Sequence, residues 1–173
     1  MNNERIEVTI LRNLIFNEEY TRKTLPFINE IYFTKREEKI LFQEIDNFVQ
    51  KYKNLPTKES LLIELGYRKD INEEENKSVK ELLTSLNAEE VEQQWLLDTT
   101  EKFCKDRAVH NAVLDGIKIL DGKDNKRTQE AIPSILADAL AVSFDNHIGH
   151  DYIEDAEARF KYYHTKEKKY QFD

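Results

Sequence analysis

Apolar residues recur along this chain at steps of three and four, the period of helices that bury one face. From Glu4 to Phe16, the residues Ile6, Ile10, Leu11, Leu14 and Ile15 share one side. Asn17 stops that helix and caps a second, whose opening Glu18 and Glu19 suit the positive end of a helix dipole. Pro26 opens a short turn that runs to Ile31. Thr34 with Glu37 reads as a capping box for a helix bearing Ile40, Leu41, Ile45, Phe48, Val49 and Tyr52. Asn54-Leu55-Pro56-Thr57 ends it and caps a short helix through Leu61, Leu62 and Leu65, stopped by Gly66. Asn72 with Glu75 begins another, through Val79, Leu82, Leu83 and Leu86. Residues 1–86 are thus expected to form a headpiece of short packed helices.

Asn87 with Glu90 repeats the capping device, and no breaker follows until Gly116, with the pattern continuing to Leu120. A helix of about thirty residues spans roughly 45 Å, more than the ~30 Å diameter of a small domain. Part of it is expected to project. Val91, Trp95, Leu96, Phe103, Val109, Val113, Ile117 and Leu120 lie on one broad face, and Leu97, Cys104, Ala108, Ala112 and Ile119 on another. Two apolar faces need two partners. One is a return helix after the polar loop Asp121–Arg127, with Ile132, Ile135, Leu136, Ala139 and Leu140 on one face and Pro133 tolerated in its first turn. Residues 87–144 then make an αα-hairpin. Its candidate interface comprises Leu97, Cys104, Ala108, Ala112, Ile119, Ile132, Ile135, Leu136 and Ala139. The second partner is either another copy of the chain or the headpiece, and periodicity does not choose between them.

Beyond Phe144 a polar link, Asp145–His150, precedes an Asp151/Glu154 cap and a last helical pattern. Its stripe of Tyr152, Ile153, Ala156, Phe160 and Tyr163 either docks on another surface or folds back onto the bundle. Residues 145–173 are assigned as a hinge and a final helix, and the fold class is all-α.

Composition narrows the function. The 173 residues (20.6 kDa) have a mean hydropathy of −0.73 and carry 26 Lys plus Arg against 34 Asp plus Glu, a net charge of −8. A single domain, or a domain with one appendage, fits this length. Proteins that grip nucleic acid gain affinity through a basic face that releases counterions, which this acidic balance does not favour. The local exception is the tail, where Arg159, Lys161, Lys166, Lys168 and Lys169 accompany Tyr162, Tyr163 and Tyr170. Stacking with cationic contacts could hold single-stranded DNA there, although a solvated helix face accounts for the charges more simply. The lone Cys104 excludes an internal disulfide or a multi-cysteine zinc site and fits a reducing compartment. The opening Met1-Asn2-Asn3-Glu4-Arg5 lacks a signal-peptide core, and no run approaches the ~18 apolar residues of a membrane span. A cytosolic location without membrane contact is expected.

Searches for chemistry return little. The nearest approach to a phosphate loop, Gly116 to Asp124, has one residue too many between its glycines and Asp in place of Ser or Thr. His147 and His150 lack companions for a closed metal site. Cys104 sits in an amphipathic helix without an evident base, as a packed thiol does. Glu73-Glu74-Glu75 is a helix start. No catalytic, cofactor or metal residues are assigned.

Several stretches nevertheless form a familiar set. Leu14-Ile15-Phe16-Asn17-Glu18-Glu19-Tyr20, Trp95-Leu96, Ala131-Ile132-Pro133 through Ala139-Leu140, and Ser143-Phe144-Asp145 through Gly149-His150-Asp151 to Glu157-Ala158-Arg159 resemble the N-terminal region of the DnaB-type hexameric replicative DNA helicases of T-even-like bacteriophages. The resemblance runs over essentially the whole chain and is weakest from Gly66 to Asn87 and from Asp121 to Thr128. It implies a helical collar, made of a headpiece and a hairpin, joined by a linker helix to an ATPase motor that would follow near Asp173. In such rings hairpins pair between subunits and the linker helix packs on the adjacent motor. The expected partners are other copies (a dimer or hexameric ring), primase and a helicase loader, with DNA met mainly through the motor. ATP and Mg²⁺ are expected for the full-length protein and no cofactor for this segment. The setting implied is the cytoplasm of the infected host, at the replication fork. A free-standing adaptor that bridges replication proteins is the alternative class.

Overall fold

The computed structural model describes residues 5–144. Seven α-helices and three short 3-10 turns make up the described chain, which contains no strand. The helices are α1 (Ile6–Phe16), α2 (Glu18–Thr24), α3 (Arg36–Tyr52), α4 (Lys58–Tyr67), α5 (Glu73–Ser85), α6 (Gln93–Leu120) and α7 (Ile132–Leu140). The all-α class read from the periodicity holds.

Several local signals act as their chemistry requires. The Asn17 side-chain oxygen accepts the Tyr20 amide at 3.0 Å and turns the chain from α1 into α2. Thr57 and Ser60 cap α4 reciprocally. Asn72 and Glu75 do the same for α5, at 2.8 and 3.0 Å. Pro133 sits in the first turn of α7, where its missing N–H breaks no helical bond.

Three boundaries differ from the sequence expectation, two of them beside a contact with a distant residue. α3 starts at Arg36, and Glu38 rather than Glu37 reaches back to the Lys35 amide. Thr34 is not the cap because its hydroxyl accepts a hydrogen bond from the Arg107 guanidinium of α6. Gly66 does not stop α4, which continues to Tyr67. The left-handed cap instead falls at Lys53 (φ 54°), where α3 ends. Asn87 and Glu90 start no helix. The chain runs in non-helical conformation from Leu86 to Glu92, with Leu86 buried and Glu89 drawn to Arg12 at 2.8 Å. The Glu92 carboxylate then accepts the amides of Gln94 and Trp95 and caps α6.

The core is built from Ile10, Leu11 and Leu14 of α1, Ile40, Leu41 and Ile45 of α3, Leu61 and Leu65 of α4, and Val79 and Leu83 of α5. It continues without a break into α6 through Leu96, Phe103, Cys104, Ala108 and Ala112, and ends at Ala139 of α7. A 28-residue helix is about 42 Å long. Its first half lies on the headpiece. The Tyr20 hydroxyl meets Thr100 Oγ1 at 2.7 Å, Arg107 Nε donates to the Tyr32 carbonyl at 2.8 Å, and Asn111 Nδ2 donates to the Ile31 carbonyl at 3.1 Å.

α7 returns alongside α6 in the opposite direction. Ile132 lies over Gly116 near the tip, and Ser143 bonds Glu101 at 3.3 Å near the base. Gly116 is an ordinary helical glycine, and a Cβ there would stand 3.6 Å from Ile132 Cγ2, a normal contact. Gly116→Ala is therefore expected to stabilise the chain by about 0.5–1 kcal/mol, since glycine costs that much in a helix interior. A rise in the thermal midpoint would show it, and a fall would mean that the helices cannot accept one more methyl.

Candidate docking surface

The apolar residues of α6 divide three ways in space. Leu96, Thr100, Phe103 and Cys104 face the headpiece, and Phe103 meets Phe33 with ring centroids 6.1 Å apart. Ala108, Ala112 and Gly116 lie on the side toward α7, small enough for the two helices to approach closely. The remaining side is open. Val113, Leu114, Ile117 (49% exposed) and Leu120 (60% exposed) lie on the distal three turns of α6, past the last hydrogen bond to the headpiece. Ile31, whose carbonyl accepts from Asn111 one turn before Leu114, is also exposed. Trp95 is 53% exposed at the other end of the helix.

The proposed interface residues are placed as follows. Cys104, Ala108, Ala112, Ile119 and Ala139 are buried within the chain, and Leu97, Ile132, Ile135 and Leu136 are half-buried. The linker-stripe residues Tyr152, Ile153, Ala156, Phe160 and Tyr163 lie outside the described residues, as do His147, His150 and the basic tail. The exposed apolar surface of the hairpin belongs to Val113, Ile117 and Leu120, which the sequence puts on the other face, and to Leu114. Leu114 is absent from both sequence stripes. It sits on the side of α6 that the headpiece covers lower down, so only the length of the headpiece exposes it. An exposed apolar group of this kind, on a helix already packed on two sides, suits a protein partner.

Charge around this surface is fixed in pairs. Asp115 accepts from Arg127 at 2.9 Å and Asp124 from the same guanidinium at 2.7 Å, closing the loop between α6 and α7. These bonds hold the Asp115 carboxyl below the usual range, through Arg127 first and Lys118 second. At the α6–headpiece seam, Arg5 bonds both Glu7 and Glu38 at 2.8 Å, and Arg107 approaches Glu7 at 3.9 Å. Burial raises the Glu38 carboxyl, and Arg5 opposes the rise.

Burial pushes the Cys104 thiol up to about 12, with Glu101 adding to the effect, so it remains a protonated core side chain. Among the described residues no group of three His, Cys, Asp or Glu side chains could hold a metal, and no helix is long and apolar enough to cross a membrane. The stretch from Gly116 to Asp124 does not form a phosphate loop. Gly116 is inside a helix, where backbone amides are already bonded, and Lys123 is paired with Asp121 at 3.0 Å.

Fold and surface together define a class: over the described residues, a small all-helical module with an apolar helix face left exposed. No family model matches the chain. The chain is similar to a DnaB-like replicative helicase of Enterobacteria phage T4, with 34% identity over 171 residues. That match takes in 94% of this chain and 36% of the relative, so the chain spans about a third of the helicase's length.

Proposed function

We propose that this chain is the N-terminal collar and linker of a phage replicative DNA helicase, a module that organises subunits and docks partner proteins during DNA replication. The observation that carries the assembly reading is the open apolar run Val113, Leu114, Ile117 and Leu120 on the hairpin. The likeness to the phage helicase supports the replication setting. On this reading the hairpin pairs with the hairpin of a neighbouring copy, in a dimer or in a hexameric ring. The stripe Tyr152, Ile153, Ala156, Phe160 and Tyr163 packs on the adjacent subunit's motor. Primase and a helicase loader bind the collar. ATP, Mg²⁺ and most of the DNA contact belong to the motor of the whole protein, and the work takes place in the cytoplasm of the infected host.

The test is the mass of the purified chain in solution across concentration. The expected result is a reversible shift from monomer to dimer or larger species as concentration rises. A monomer at every concentration up to the millimolar range would sink the hairpin-pairing reading.

A further inference from the structure

We propose that a groove between α3 and α4 binds a proline-rich, arginine-bearing segment of a partner protein. The groove has a volume of about 470 Å³, and its aromatic walls are Phe48 and Tyr52 from α3 and Tyr67 from the end of α4. The Phe48 and Tyr52 rings stand 4.6 Å apart, and Tyr67 is 75% exposed. Ile63, one turn before Tyr67, is exposed as well. Aromatic surface left open on a small domain marks a place of contact. It shares no residue with the hairpin face.

Charge and shape select the occupant. The charged side chains of the lining are Glu44, Lys51, Glu64, Arg68 and Asp70. Arg68 Nε donates to Asp70 at 3.0 Å, and its guanidinium lies 3.5 Å from Glu44. Lys51 is engaged by Tyr52, whose ring centroid is 4.8 Å from the ammonium. Glu64 alone forms no ion pair among the described residues, so the group left for a ligand is a carboxylate and its complement is a cation. Glu64 and Tyr67 are three residues apart on α4 and therefore neighbours on its surface. One guanidinium can pair with the first and stack on the second.

Aromatic-lined grooves suit proline-rich segments, which arrive already extended and lose little freedom on docking. A polyproline helix makes no internal hydrogen bonds, so its carbonyls need donors. The Tyr67 hydroxyl and the Asn47 amide, both in the lining, donate to nothing among the described residues. A further α-helix fits less well. Packed helices have axes about 8–10 Å apart, and a helix about 10–12 Å across would bridge such a groove rather than enter it.

The proposal goes beyond the assembly reading and does not rest on it. The test is fluorescence anisotropy of a labelled peptide of four Pro-Pro-Arg repeats, titrated with the full chain. Three residues per turn put every arginine of this peptide on one ridge. Saturable binding is expected, and Tyr67→Ala and Glu64→Gln should each weaken it about tenfold, as truncation of a central contact does. Neither residue belongs to the buried core, and an unchanged helix signal checks that both variants fold. Peptides of Gly-Ser-Arg repeats, equally charged but flexible, and of Pro-Pro-Glu repeats should bind at least about tenfold more weakly. The chain with Val113→Lys and Ile117→Lys on α6 should bind like the unaltered one, which separates this site from association between copies. Absence of saturation up to millimolar chain would overturn the proposal. Equal binding of the Gly-Ser-Arg peptide would do so too, since it would reduce the effect to general attraction by an acidic protein. A peptide affinity unmoved by Tyr67→Ala or by Glu64→Gln would place the contact elsewhere and equally end the proposal.

Discussion

A chain carrying Val113→Lys with Ile117→Lys is expected to stay monomeric at concentrations where the unaltered chain associates, while keeping its thermal midpoint. Both side chains are about half exposed and lie one turn apart on the distal part of α6. Covering the open half of each is worth about 1–1.5 kcal/mol at the usual value for apolar burial. In a two-fold pairing each change counts in both copies, so the loss is on the order of 5 kcal/mol per dimer, more than a thousandfold in the association constant. Stability should hold for the converse reason. Neither side chain belongs to the core, lysine is a good helix former, and a cation near a helix C-terminus is favoured. Surface changes of this kind stay within about 0.5 kcal/mol. Sedimentation checks the first half and a thermal melt the second. If association persists unchanged, the distal face of α6 is not where copies meet.

Leu96→Ala should have the opposite signature, with folding impaired. Leu96 is fully buried where α6 crosses the headpiece, although its neighbour Trp95 is 53% exposed. Truncating a buried leucine costs roughly 2–5 kcal/mol, the spread set by how far the cavity collapses. That is a large part of the 5–15 kcal/mol typical of a domain. Because one buried cluster runs from Ile10 through Cys104 to Ala139, headpiece and hairpin are expected to lose stability together. Urea unfolding followed at once by helix signal and by Trp95 fluorescence would show a single shifted transition. A shift below about 1 kcal/mol, or two separate transitions, would mean that α6 is not the common spine of the fold.

These two outcomes distinguish the faces of one helix, and that distinction was only half legible in the amino-acid sequence. The period of three and four placed apolar residues on α6 and revealed more than one buried side. It could not say what stands opposite each side. Cys104, Ala108, Ala112, Ile119 and Ala139 belonged to the candidate hairpin interface, and in the described chain they are buried. Leu114 belonged to neither stripe and is open because the headpiece stops short of it. The stripe from Tyr152 to Tyr163 lies outside the described residues.

Caps followed the same division. Asn17, Thr57 and Asn72 cap as read, because an N-cap bond spans only two or three residues and its partners are adjacent in the chain. Thr34 does not, because Arg107, seventy-three residues away, takes its hydroxyl. Asn87 does not, and the neighbouring Glu89 is held by Arg12, seventy-seven residues away.

The sequence by itself therefore determined the helical class and most helix positions, since each is written in residue type and near-neighbour spacing. Only the tertiary structure decided which side of the long helix meets the headpiece, which meets α7 and which meets solvent. Burial depends on what approaches from far along the chain, and helical period carries no information about that.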